Sequence, residues 1–122
     1  MAEFDLEKTV QEWNTWLDEN KAEDVQFVDL RGHSDITDAI IVLTVNNTRH
    51  MAHLSEDAMR FAKARGEGLI AADGLDSREW VVLDFGIYMV HIFLPETRAQ
   101  YSIEDFWDKY KSREKSDESI EI

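Results

Sequence analysis

The 122-residue chain contains no cysteine, so neither a disulfide framework nor a thiolate metal site is open to it. That suits a reducing compartment. Its five glycines form no GxGxxG or P-loop pattern, which removes two common ways of cradling phosphates. No apolar run approaches the roughly 20 residues that span a bilayer. The opening stretch MAEFDLEKTVQEW is acidic where a signal or transit peptide would be basic. A soluble, cytoplasmic protein is therefore expected. Basic residues are also scarce: 13 Lys and Arg against 26 Asp and Glu leave a formal net charge of −13. Such a chain repels phosphate backbones, which disfavours unassisted binding of DNA or RNA. The same charge draws it toward basic protein surfaces, raising encounter rates more than final affinity. Acidity also serves solubility alone, and composition does not separate the two roles.

Hydrophobic residues make up 43% of the chain, enough for one domain with a single core. Leu6, Val10, Trp13 and Leu17 fall on one helical stripe, and Asp5 can cap its start. Asp24 to Leu30 alternates as a strand, and Gly32 belongs to the turn that follows. Asp38 to Val45 is almost wholly apolar, which predicts a central strand covered on both faces. A long helix runs from Asn47 or Thr48 to about Arg65, with Met51, Leu54, Ala58 and Phe61 facing inward. Leu69 to Ala72 is expected as a short strand. The polar loop DGLDSRE follows, then two strands around Gly86. Pro95 stops the last strand, and a helical turn over Glu96 to Tyr101 leads to a capping-box-like Ser102-Ile103-Glu104-Asp105. This order predicts an α/β fold, a mixed β-sheet flanked by helices, occupying residues 1–110. Residues 111–122 read as a flexible acidic tail.

The catalytic inventory is thin. Asp84-Phe85-Gly86 matches the kinase metal-binding signature, but no Gly-rich loop, strand lysine or HRD accompanies it, and a hairpin turn accounts for all three residues. His50, His53 and Asp57 share one helix face and could hold a metal, although no second ligand motif converges on them. The carboxylate-rich DGLDSRE lacks EF-hand spacing. No nucleophile signature is present, and no cofactor is implied.

WVVLDFGIYMVHIFLPE, Trp80 to Glu96, is the most apolar stretch of the chain. Along its second strand Tyr88, Val90, Ile92 and Leu94 share one face, and Ile87, Met89, His91 and Phe93 share the other. Both faces are apolar, so both need a cover, from this domain or from a partner. Trp80 stands beside a polar loop and Phe85 at the hairpin tip. A large apolar side chain at an exposed tip suits an interface anchor. Core and interface both remain open on these grounds.

The stretches VDLRGHSDITDAIIV, NNTRH, EWVVLDFG and VHIFLPETRAQYSIEDFW, in this order and with these gaps, resemble the ribosomal silencing factor family, RsfS, also called the Iojap family. The resemblance implies a nucleotidyltransferase-like fold without the catalytic carboxylates, and no enzymatic activity. It implies binding to the large ribosomal subunit through ribosomal protein L-fourteen, which sterically blocks subunit joining and represses translation in starvation or stationary phase. The family's interface positions fall on Trp80, Phe85 and Tyr101. The chain departs from the family pattern at Ile87, where an aspartate usually follows the hairpin glycine. Two other readings compete. One is a metal-dependent nucleotidyl or phosphoryl transferase using His50, His53 and Asp57. The other is a self-associating module, a homodimer formed through the same apolar surface.

Overall fold

The computed structural model describes residues 5–32 and 37–103. Helix α1, Leu6–Glu19, begins at Asp5, whose side chain accepts the Lys8 N–H at 3.0 Å, and it buries Leu6, Thr9, Val10, Trp13 and Leu17. Strand β1, Glu23–Asp29, lies at one edge of the sheet, and a bulge between Glu23 and Gln26 interrupts its pairing. In strand β2, Ala39–Thr44, all six residues are buried, as the unbroken apolar run predicts. Helix α2, Thr48–Ala64, is capped by Asn47, whose side chain accepts the His50 N–H at 2.7 Å. It ends at Gly66, whose φ of +83° supplies the left-handed residue that closes many helices.

Three short elements complete the sheet. Strand β3 spans Ala71–Asp73 rather than starting at Leu69. Leu69 and Ile70 are 42% and 69% exposed and precede the register, although the Ile70 N–H already reaches the Asp84 carbonyl at 2.7 Å. Strands β4, Trp80–Asp84, and β5, Tyr88–Phe93, form the hairpin around Gly86. Asp84 opens its turn by accepting the Gly86 N–H on Oδ1 at 2.8 Å, so DFG is a turn here. Pro95 then starts helix α3, Pro95–Tyr101, one residue earlier than the expected helical turn. Helix α3 closes on Ser102 in the left-handed region, with the Ser102 hydroxyl donating to the Ala99 carbonyl. Glu104 and Asp105 of the expected capping box lie outside the described residues, as does the tail at 111–122.

The strand order is β1-β2-β5-β4-β3, with β2 and β5 parallel and every other pair antiparallel. The result is the expected mixed sheet flanked by helices. Its inner face carries Ala39, Ile41 and Leu43 of β2, Val81 and Leu83 of β4, and Tyr88, Val90 and Ile92 of β5. Helices α1 and α2 pack on this face through Trp13, Leu17, Met51, Leu54 and Ala58. Full burial of each large apolar side chain stabilises the fold by about 1.5–3 kcal/mol relative to leaving it in water. The outer face carries a smaller cluster of Val28, Leu30, Ile40, Val42 and Phe93, against which Trp80, Met89 and Ile103 pack. The two parities of β5 thus serve two separate apolar layers.

Candidate interaction surface

The hairpin register builds this surface. Trp80 lies opposite Phe93 and Val82 opposite His91, all on the outer face. The Trp80 and Phe93 rings stack with centroids 4.9 Å apart at 24°. Tyr101, at the end of α3, brings its ring to 4.9 Å from Trp80 and is 53% exposed. Two of the three residues expected at an interface, Trp80 and Tyr101, therefore touch each other. They lie on different elements, joined by the Pro95 turn.

A histidine fixes the tryptophan. The Trp80 Nε1–H donates to His91 Nδ1 at 3.0 Å. An indole nitrogen only donates, so Nδ1 must be the unprotonated nitrogen of the imidazole. His91 is 5% exposed, and its burial pushes the pKa down from the ordinary value to about 4. At neutral pH the ring is uncharged and holds the indole in place. Beneath Trp80, Gly74 has φ +85°, and any Cβ there would meet the Trp80 carbonyl oxygen at 1.9 Å. Only glycine lets the polar loop close that tightly against the start of β4.

Phe85 is not part of this surface. It is 7% exposed and belongs to the inner cluster, with ring centroids 5.1 Å from Tyr88 and 6.0 Å from Trp13. The reason is parity: Val81, Leu83 and Phe85 alternate onto the helix-covered face. The hairpin closes after Phe85, whose N–H donates to the Tyr88 carbonyl at 3.0 Å. The exposed residue at the tip is Ile87, at 42%. The exposure expected of Phe85 is thus corrected.

The rival metal set does not assemble. His50 Nε2 donates to the Asn20 carbonyl at 3.0 Å, which ties the start of α2 to the end of α1 and engages that nitrogen. His53 is exposed, and Asp57 accepts from Arg60 at 2.7 Å. Among the described residues, no group of three or more His, Cys, Asp or Glu side chains is placed to hold a metal ion.

The profile of the family described as "Ribosomal silencing factor during starvation" matches residues 3–121. The chain belongs to this family. The match takes in the segment read above as a loose tail. A ribosomal silencing factor of Haemophilus influenzae is 31% identical over 91 residues, covering 75% of this chain and 89% of that protein. The chloroplastic protein Iojap of Zea mays is 33% identical over 73% of this chain and 39% of its own length. The mouse protein named "Mitochondrial assembly of ribosomal large subunit protein 1" is 28% identical over 87% of this chain, which spans only 46% of that protein. Among solved structures, a Chromobacterium violaceum protein superposes with a TM-score of 0.80 at 26% identity, covering 86% of this chain and 88% of its own. A Bacillus halodurans protein superposes with a TM-score of 0.73 at 25% identity, covering 83% and 94% respectively.

Sequence reasoning missed Phe93 and His91 as the partners of Trp80. The signal was available. A two-residue turn at Gly86-Ile87 pairs Phe85 with Tyr88, and counting back five positions sets Trp80 opposite Phe93.

Proposed function

We propose that this ribosomal silencing factor family member restrains translation by binding the large ribosomal subunit through ribosomal protein L-fourteen and obstructing its union with the small subunit. It acts as an interaction protein, not an enzyme, in the compartment where ribosomes work. The observation that carries the reading is the contact of exposed Tyr101 with partly buried Trp80 on the outer face of the sheet. An amphipathic aromatic pair, with Trp80 prefixed by Phe93 and His91, has little conformational entropy left to lose on binding, which favours an anchor. The net charge of −13 supports a basic protein partner and predicts a complex that weakens as salt rises. When no large subunit is available, two copies can pair through the same surface. Phe85 enters only indirectly, by supporting the hairpin from beneath.

Sedimentation of purified subunits tests the proposal. Large subunits mixed with a molar excess of the protein before small subunits are added should give fewer joined ribosomes. Trp80→Ala should weaken large-subunit binding by about 1–4 kcal/mol and restore joining in proportion. Full joining at saturating wild-type protein would sink the reading. Joining blocked equally by wild type and a folded Trp80→Ala variant would move the contact off this surface.

A further inference from the structure

The seam between α1 and α2 opens into a groove of about 420 Å³, lined by Gln11, Glu12, Thr15, Trp16, Glu19 and Phe61. It is not part of the Trp80 surface, which lies on the opposite face of the sheet from these helices. Its floor is aromatic: the Trp16 and Phe61 rings stack with centroids 4.9 Å apart at 17°. Its rim is acidic, with Glu12 and Glu19 both exposed and no basic residue in the lining. Helix α1 as a whole carries four carboxylates against one lysine.

The chain itself shows what a cation does beside this groove. The Arg65 guanidinium carbon lies 5.7 Å from the Phe61 ring centroid, and the same side chain donates to Glu12. Ring face and carboxylate together hold one internal arginine. Trp16 and Glu19 line the groove further along α1, and Glu19 has no ion-pair partner among the described residues.

From this geometry we propose that the groove docks an arginine or lysine side chain of an extended, basic protein segment, with the cation over Trp16 and its donors on Glu19. Cation over ring and cation to carboxylate are each weak at a surface, but they act on the same group. Arginine fits better than lysine, because its planar head can stack and donate at once. An anionic ligand, whether nucleic acid or membrane, is repelled by the same rim. The inference does not depend on the ribosomal reading, since it concerns another face and a different assay.

Calorimetric titration of the full chain with an acetylated, amidated peptide, Gly-Ser-Arg-Gly-Arg-Ser-Gly, against its citrulline counterpart tests it. The arginine peptide should bind and the citrulline peptide should not. In amide NMR spectra, the shifts should cluster on α1 and the Phe61 turn of α2. Glu19→Lys should weaken binding about tenfold, because it removes the carboxylate contact and sets a like charge beside the docked cation. That variant should fold normally, because Glu19 is exposed and a cation suits a helix C-terminus. Asp76→Lys, an equal charge change in the exposed β3–β4 loop, should cost less than about twofold. Equal losses from the two variants would reduce the effect to general charge attraction and overturn the site. So would equal binding of the citrulline peptide, or no binding of the arginine peptide.

Discussion

Among the described residues, Trp13 on the inner face meets four other aromatic rings and has no exposed surface, whereas Trp80 on the outer face meets three, one of them a tyrosine that is 53% exposed. Each indole N–H is satisfied, Trp13 by the Tyr88 hydroxyl at 2.8 Å and Trp80 by His91 Nδ1 at 3.0 Å. The acceptors differ in kind. Burial, with Glu67 beside it, raises the Tyr88 phenol above its ordinary pKa, so its hydroxyl stays neutral at neutral pH and below. The imidazole can be protonated within the accessible range. One tryptophan is locked into a core, and the other is held at a surface by a bond that acid can break. Aromatic content does not separate core from interface. The neighbours and the acceptor do.

The sharpest test of that division is Phe85, which the hairpin tip makes look like an anchor and the packing makes a core residue. Phe85→Ala should destabilise the fold by about 3–5 kcal/mol, the usual cost of emptying a buried phenylalanine site. That is a large share of the roughly 5–15 kcal/mol holding a domain together. Denaturant unfolding with an unchanged slope measures it. A loss below about 1 kcal/mol would mean that Phe85 sits outside the core in solution, and the two faces would no longer be distinct.

A second test uses the histidine. The folded pKa of His91 is near 4, below the 6.5 of a free imidazole, so at acid pH the unfolded chain binds a proton that the folded chain refuses. Stability must therefore fall as pH drops below about 6.5 and level off only below the folded value. Between pH 7.5 and 4.5 the histidine should account for about 2.5 kcal/mol of lost stability. His91→Gln keeps a hydrogen-bonding side chain but removes the proton. The variant should lose about that much less than wild type over the same range, while carboxylate titration stays common to both. Parallel pH profiles for the two proteins would show that Trp80 is not held by a buried neutral ring.

Much of this arrangement is legible in the sequence, for reasons that lie in particular residues. The continuous run Ala39–Thr44 can only be buried on both faces, and it is the central strand. Leu6, Val10, Trp13 and Leu17 at helical spacing give α1, and Asn47 announces α2 by its cap. The turn at Gly86 fixes which residues of β4 and β5 oppose each other. Other features are not local. Alternation shows that Phe85 shares a face with Leu83, but both faces of the hairpin are apolar. Only the docking of α1 and α2 decides which one is inside. The parallel pairing of β2 with β5 spans a helix and two strands, and no short stretch encodes it. Tyr101 reaches Trp80 through the path of α3 after Pro95, which depends on where that helix packs.

Tyr101 itself gives the smallest effect and the cleanest contrast with Phe85. It is the last residue of α3, more than half exposed, and its only ring contact among the described residues is Trp80. Removing it leaves no cavity, so Tyr101→Ala should cost less than about 1 kcal/mol of stability, the range of a surface aromatic pair. Large-subunit affinity should nonetheless fall by about 1 kcal/mol, or roughly fivefold. Phe85 should show the opposite balance, with stability lost first and binding lost only as the fold fails. Tyr101→Phe separates ring from hydroxyl. Affinity kept by Phe but lost by Ala places the ring in the contact, whereas equal loss in both assigns the contact to the hydroxyl. A folded Tyr101→Ala protein that binds the large subunit as tightly as wild type would remove the exposed half of the aromatic pair from the interface, and with it the reason for reading the outer face as a binding surface.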